Sequence, residues 1–131
     1  MNLTILILLI SASLKAPSYP AIVIPAGEVI NGYERIIRAV TTVESANGKY
    51  LLNEKEMAVG WFGIRPIRLL DYNQRTGKHI THEQCYEYET GRMIFLYYAS
   101  QIHPSDIKAI CINWNGVSKK NLYYQKIKSI L

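Results

Sequence analysis

Met93-Ile94-Phe95-Leu96-Tyr97-Tyr98 is the stretch that most limits what this chain can become. Upstream of it, Thr81 and Gln84 have capping-box spacing. In such a box the hydroxyl takes a backbone donor of the first turn and the Gln side chain reaches back. Together they predict one long helix from Thr81 to about Ile102. A helix that is apolar nearly all round has no face to give to water, so it belongs in the middle of a domain. The remaining chain must surround it. At 131 residues, 49% hydrophobic and 19% charged, the chain suits a single globular domain with a real core.

The surrounding elements follow from periodicity and punctuation. Val29, Tyr33, Ile36, Ile37, Val40, Val43 and Glu44 fall on one helical face, so a helix is expected from about Glu28. Asn47-Gly48 ends it with residues that tolerate positive φ. Glu44 therefore continues the apolar stripe at a helix C-terminus. Desolvation and the helix dipole both disfavour a negative charge there, so its carboxyl should stay protonated to unusually high pH. Tyr50 to Ile64 lacks a long helical period and carries Asn53, Gly60 and Gly63, which predicts a lobe of loop and short β pieces. Pro66 fits the first turn of a helix over Ile67 to Asn73. Thr76-Gly77 is a turn. Ser105 is expected to cap a helix from Asp106 to about Asn113, and Asn115-Gly116 breaks it. A last helix covers about Asn121 to Ile130. The fold class is thus mainly α, with one irregular lobe between the first two helices.

Residues 1–16 hold an apolar run, Leu3 to Ile10, followed by Ser11, Ala12 and Ser13, the layout of a signal-peptide core and cleavage site. No charged residue precedes the run. An N-terminal strand or a short membrane anchor are the alternatives, although the run falls short of the roughly 20 apolar residues that span a bilayer. Residues 17–27, with Pro17, Pro20 and Pro25, read as an extended linker. Residues 28–131 form the domain. The formal net charge of +5 favours anionic partners: nucleic acid, anionic lipid or bacterial cell wall. No nucleic-acid module is present, so nucleic acid is not an expected partner. Cys85 and Cys111 sit in apolar helical stretches and read as buried thiols. No Cys/His ligand spacing occurs, so neither a metal nor another cofactor is expected. His79, His82 and His103 are scattered and read as surface residues.

Several short motifs then recur in a telling order: Glu44-Ser45 at a helix end, Gly60-Trp61-Phe62-Gly63-Ile64-Arg65-Pro66, Asn113-Trp114-Asn115-Gly116, and Tyr123-Tyr124. From about Val29 to the end the chain resembles the catalytic domain of soluble lytic transglycosylases, in the goose-type lysozyme-like superfamily. That family shows a helix ending in Glu-Ser, a Gly-Leu-Met-Gln-Ile-x-Pro-like segment, an Ala-Tyr-Asn-Ala-Gly-like segment and a Tyr near the C-terminus. Two departures stand out. Gly63 occupies the place of the family's Gln, and Val117 that of a small residue.

The resemblance implies an α+β lysozyme-like fold with a glycan-binding groove. It also implies cleavage of the β-1,4 bond between N-acetylmuramic acid and N-acetylglucosamine. Glu44 would be the acid, then the base on the muramoyl 6-hydroxyl. A hydrolytic lysozyme or a non-catalytic wall-binding protein are the alternatives on the same fold. Ser45, Trp61, Phe62, Ile64, Trp114, Asn115 and Tyr124 would bind substrate; aromatic faces suit sugar rings. Glu56 is the candidate second carboxylate, with Asp71 behind it. The expected partner is the peptidoglycan strand, met as a monomer in the secreted, periplasmic or cell-envelope space. Peripheral membrane association and a phage lysis or virion role fit the same reading.

Overall fold

The computed structural model describes residues 32–116 and 119–131. The expected signal segment, the linker, the start of the first helix at Glu28 with Val29, and Val117 lie outside the described residues. Among those described there are five α-helices, two 3-10 turns and a two-stranded sheet.

Helix α1 covers Glu34–Ser45. Its buried residues Ile36, Ile37 and Val40 follow the expected stripe. It ends because Ala46, Asn47 and Gly48 all have positive φ. The first two are not glycine, and such a conformation costs an L residue about 1–2 kcal/mol. The Ala46 and Asn47 N–H groups bond back to Thr42 O and Thr41 O, which offsets part of that cost.

The lobe that follows is small. Strand β1 (Leu52–Asn53) pairs antiparallel with β2 (Ala58–Val59), with Leu52 opposite Val59 and Asn53 opposite Ala58. A further bridge joins Val59 to Ile64. It closes the loop Gly60–Gly63, in which both glycines have positive φ. This loop is held from outside as well. A Cβ on Gly60 would lie 1.9 Å from the Cys85 carbonyl oxygen, so only glycine lets the two backbones approach.

Helix α2 covers Pro66–Thr76, with Pro66 at its start as predicted and Gly77 (φ 71) as its C-cap. It runs one turn past the expected end. The capping box also forms: Thr81 N–H bonds the Gln84 side chain at 2.9 Å, and Gln84 N–H bonds the Thr81 hydroxyl at 3.2 Å. It does not start the long helix, however. It caps a 3-10 turn at Glu83–Tyr86, and Glu87 is extended (φ −74, ψ 137) before helix α3 covers Tyr88–Ala99. The expected single helix is therefore two pieces, split where the Cys85 carbonyl meets Gly60.

Helix α3 is the centre of the domain, buried at every residue from Gly91 to Ala99. Helix α4 (Ile107–Asn115) packs on α3. Its N-cap is Asp106, whose carboxylate accepts the Ala109 N–H; the expected cap Ser105 bonds His103 instead. Helix α5 (Leu122–Ile130) packs on α4 and returns to α1. Phe62, Phe95 and Trp114 form a run of ring contacts through the core, at centroid distances of 5.6 and 5.1 Å. Removing a ring such as Phe95 from this interior costs about 3–5 kcal/mol. Cys85 and Cys111 are buried free thiols.

Candidate functional site

The end of α1, the Gly60–Gly63 loop, the start of α2 and the end of α4 converge on one cleft of about 360 Å³. Glu44, Gly63, Arg65, Ile67, Trp114 and Asn115 are among its walls. A second depression of about 260 Å³ adjoins it and shares Glu44 and Asn115. Glu56, Tyr123 and Lys126 line that side. Glu44 thus stands at the junction of two hollows, reachable from both.

Glycine makes this placement possible. Gly63 has φ +63, and a Cβ there would lie 2.5 Å from the Glu44 Oε2 and 2.9 Å from its Cδ. The carboxyl therefore rests directly on the Gly63 backbone. A glutamine at this position would displace it. The glycine at this position is thus tied to how deep this acid sits.

The electrostatics follow from that depth. Glu44 keeps some surface at the cleft, but protein crowds the carboxyl itself, and desolvation raises its pKa from 4.5 to about 7. Tyr123, Arg65 and Lys126 pull the other way, while Glu56 adds to the rise. The Tyr123 hydroxyl is buried beside the carboxyl and favours its charged form. The contact falls short of regular hydrogen-bond geometry, and that oxygen has no other hydrogen-bond partner among the described residues. Burial and the adjacent carboxyl push the Tyr123 phenol up, so it remains a neutral hydroxyl.

Arg65 joins the two hollows. Its guanidinium lies 3.0 Å from the Glu56 carboxylate, with both side chains partly exposed. Arg68, one turn along α2, donates to Asn113 O at 2.6 Å and Trp114 O at 2.9 Å. It also sits 5.1 Å from the centroid of the Trp114 ring. Arg68 thus fastens the end of α4, and with it the Trp114–Asn115 wall, to α2.

The residues expected from the sequence separate into two groups. Glu44, Trp114, Asn115, Glu56 and Asp71 line the two hollows. The others do not. Phe62 and Ile64 have no exposed surface and are core residues, because the loop turns both inward under α3. Ser45 is also buried. Its hydroxyl lies 3.0 Å from both Thr41 O and Trp61 O and accepts the Gly48 N–H, so it fastens helix to loop and does not face the cleft. Trp61 lays its indole on Gly48 and its edge on Tyr88. Tyr124 lies under Lys128, with 6.0 Å between ammonium and ring, while its neighbour Tyr123 reaches Glu44. One residue along a helix is a rotation of about 100°. Asp71, the other candidate carboxylate, accepts from Tyr98 and pairs with Arg75 at 2.8 Å. His82 bonds Ile64 O at 3.0 Å, so it braces the loop and is not a bare surface residue.

Gly63 and Arg65 line the cleft, as the motif Gly60 to Pro66 suggested, whereas Ile67, Arg68 and Tyr123 were not expected at the site. Signals existed for two of them. Arg68, Asp71 and Arg75 repeat at helical spacing on α2, a polar stripe. Tyr123 shares a face with the fully buried Ile127 at i, i+4. Among the described residues, no cluster of three or more His, Cys, Asp or Glu side chains could hold a metal ion. No helix among them is long and apolar enough to cross a membrane.

The fold and site together define a mainly helical domain with a two-stranded lobe and a cleft centred on a buried acid. No family model matches the chain, and neither does any curated protein or solved structure.

Proposed function

We propose that the cleft binds a glycan strand, on a lysozyme-like arrangement of helices and lobe, and that the protein is a peptidoglycan lytic transglycosylase. The observation that carries this reading is the Glu44 carboxyl, raised to about 7 and accessible from both hollows. A general acid must hold its proton near working pH and then act as a base, and a pKa near 7 suits both tasks. Glu44 protonates the glycosidic oxygen as its bond to the muramoyl C1 breaks. The resulting carboxylate takes the proton of the muramoyl C6 hydroxyl as that oxygen bonds to C1. The products are a 1,6-anhydro sugar and a free 4-hydroxyl, and Glu44 is protonated again. Ile67, largely exposed, offers apolar surface for a sugar face, the mostly buried Trp114 backs the cleft wall, and Asn115 offers an amide for hydroxyl or N-acetyl groups. Such a substrate places the protein in the cell envelope, as a host enzyme or a phage lysis or virion enzyme.

One observation favours a second reading. The Glu56 carboxylate shares a hollow with Glu44, so a hydrolytic muramidase could use it to direct water. Purified peptidoglycan and mass spectrometry separate the two, because the anhydro product is one water lighter than the hydrolysed one. Glu44→Gln should abolish release of either. Steady muropeptide release by that variant would refute the assignment.

A further inference from the structure

The positive charge of this chain is concentrated at one end. Residues 117–131 carry Lys119, Lys120, Lys126 and Lys128 and no Asp or Glu. The other 11 of the 15 basic residues share residues 1–116 with all 10 acidic ones. Nearly the whole net charge of +5 therefore belongs to the last helix and its approach.

Helix α5 presents that charge together with apolar surface. Ile127 is fully buried on its inner side. Leu122, Lys126 and Ile130, at i, i+4 and i+8, form a row on the outer side. Leu122 is 54% exposed and Ile130 45%. Lys120 and Lys128 are exposed as well. Arg35 of α1 donates to the Leu131 carbonyl, which adds a guanidinium at the far end of the helix. The carboxylates that border α5, Glu44 and Glu56, share the hollow beside it; protein crowds Glu44, and Arg65 engages Glu56. A soluble polyanion would use the lysines and gain nothing from exposed Leu122 and Ile130. An anionic lipid surface uses both: ammonium groups meet the headgroups while aliphatic side chains enter the acyl boundary.

We propose that the outer face of α5, with Leu122, Lys126 and Ile130 at its centre and Lys120, Lys128 and Arg35 around them, docks on an anionic phospholipid membrane. Leu122 and Lys126 also border the hollow beside Glu44, so docking brings that hollow to the lipid surface. The inference goes beyond the glycan reading of the cleft and does not depend on it.

Co-sedimentation of the full chain with phospholipid vesicles tests it. One set is phosphatidylcholine alone; the other is equal parts phosphatidylcholine and phosphatidylglycerol. The neutral set measures any binding by the apolar run Leu3 to Ile10, which is common to both. The chain should bind the anionic set about a hundredfold more tightly at low salt, the sum expected from three exposed lysines. The preference should shrink as salt rises. Lys120→Gln combined with Lys128→Gln should cut it about 30-fold. Ile130→Gln should weaken binding to the anionic set about fivefold, at low and high salt alike, because a half-exposed aliphatic side chain no longer enters the lipid. All three positions are exposed, and circular dichroism checks that the variants fold as the parent does. Equal binding to both vesicle sets, or a preference that the two lysine substitutions leave intact, overturns the proposal. Full-strength binding by Ile130→Gln also overturns it and marks a site for a soluble polyanion instead. Muropeptide release tests the glycan reading separately, so the two can fail independently.

Discussion

Glu44 should make the protein less stable as the pH rises, and the effect can be measured without any substrate. An ordinary glutamate titrates near 4.5, whereas Glu44 in the folded protein titrates near 7. Below about pH 4.5 the group is protonated whether the chain is folded or not, and its contribution is fully favourable. Between the two values the unfolded chain releases the proton while the folded one keeps it, so stability falls with pH. Above about 7 the loss is complete. Its size is about 3 kcal/mol, from the spacing of the two pKa values. Glu44→Gln replaces the protonated acid with a neutral isostere and removes this slope. The variant should match the wild type near pH 4.5 and exceed it by up to about 3 kcal/mol at pH 8. For a domain of this size that is a difference in Tm on the order of 10 °C or more. Thermal unfolding by circular dichroism at intervals from pH 4.5 to 8 reads it directly. The difference between the two proteins isolates Glu44 from every other titrating group. Melting curves that stay parallel across that range would refute the buried-acid argument.

Three further outcomes follow from neighbouring contacts. Gly63→Ala adds a Cβ that overlaps the Glu44 Oε2 and forces an alanine to φ +63, so it should cost about 1–3 kcal/mol and lower wall-cleaving activity; urea unfolding and muropeptide release check the two effects. Ser45→Ala strands the Gly48 N–H and the Trp61 carbonyl and should cost about 1–3 kcal/mol, read as a lower urea midpoint with an unchanged slope. Glu56→Gln removes a negative charge that raises Glu44 and releases Arg65, which lowers it. The pH at which Glu44 loses its proton should therefore move down, visible as an activity profile whose alkaline limb shifts to lower pH.

The helical frame was largely legible because it is written in spacing. Ile36, Ile37 and Val40 declare one face of α1, and Pro66 announces the start of α2. The break at Glu87 was not legible. The pattern from Thr81 to Ile102 is consistent with one helix, and a tertiary contact, Gly60 against the Cys85 carbonyl, decides against it. Glu44 was readable because its acid falls on an apolar stripe. Its neighbours were harder. Phe62 and Ile64 look like groove aromatics and aliphatics in a linear motif, and only the loop's bridge from Val59 to Ile64 reveals that both turn inward. The choice between Tyr123 and Tyr124 depends on the rotation of α5, which its flanking left-handed residues Lys120 and Asn121 set.

The chain has only two tryptophans, and they look in different directions. Trp61 is pressed on Gly48 and Tyr88, away from the cleft, while Trp114 stands in the cleft wall beside the Arg68 guanidinium. A Trp61→Phe protein would therefore carry a single emitter, seated at the candidate site. Its fluorescence would report occupancy of the cleft in real time, with no label attached and no turnover required.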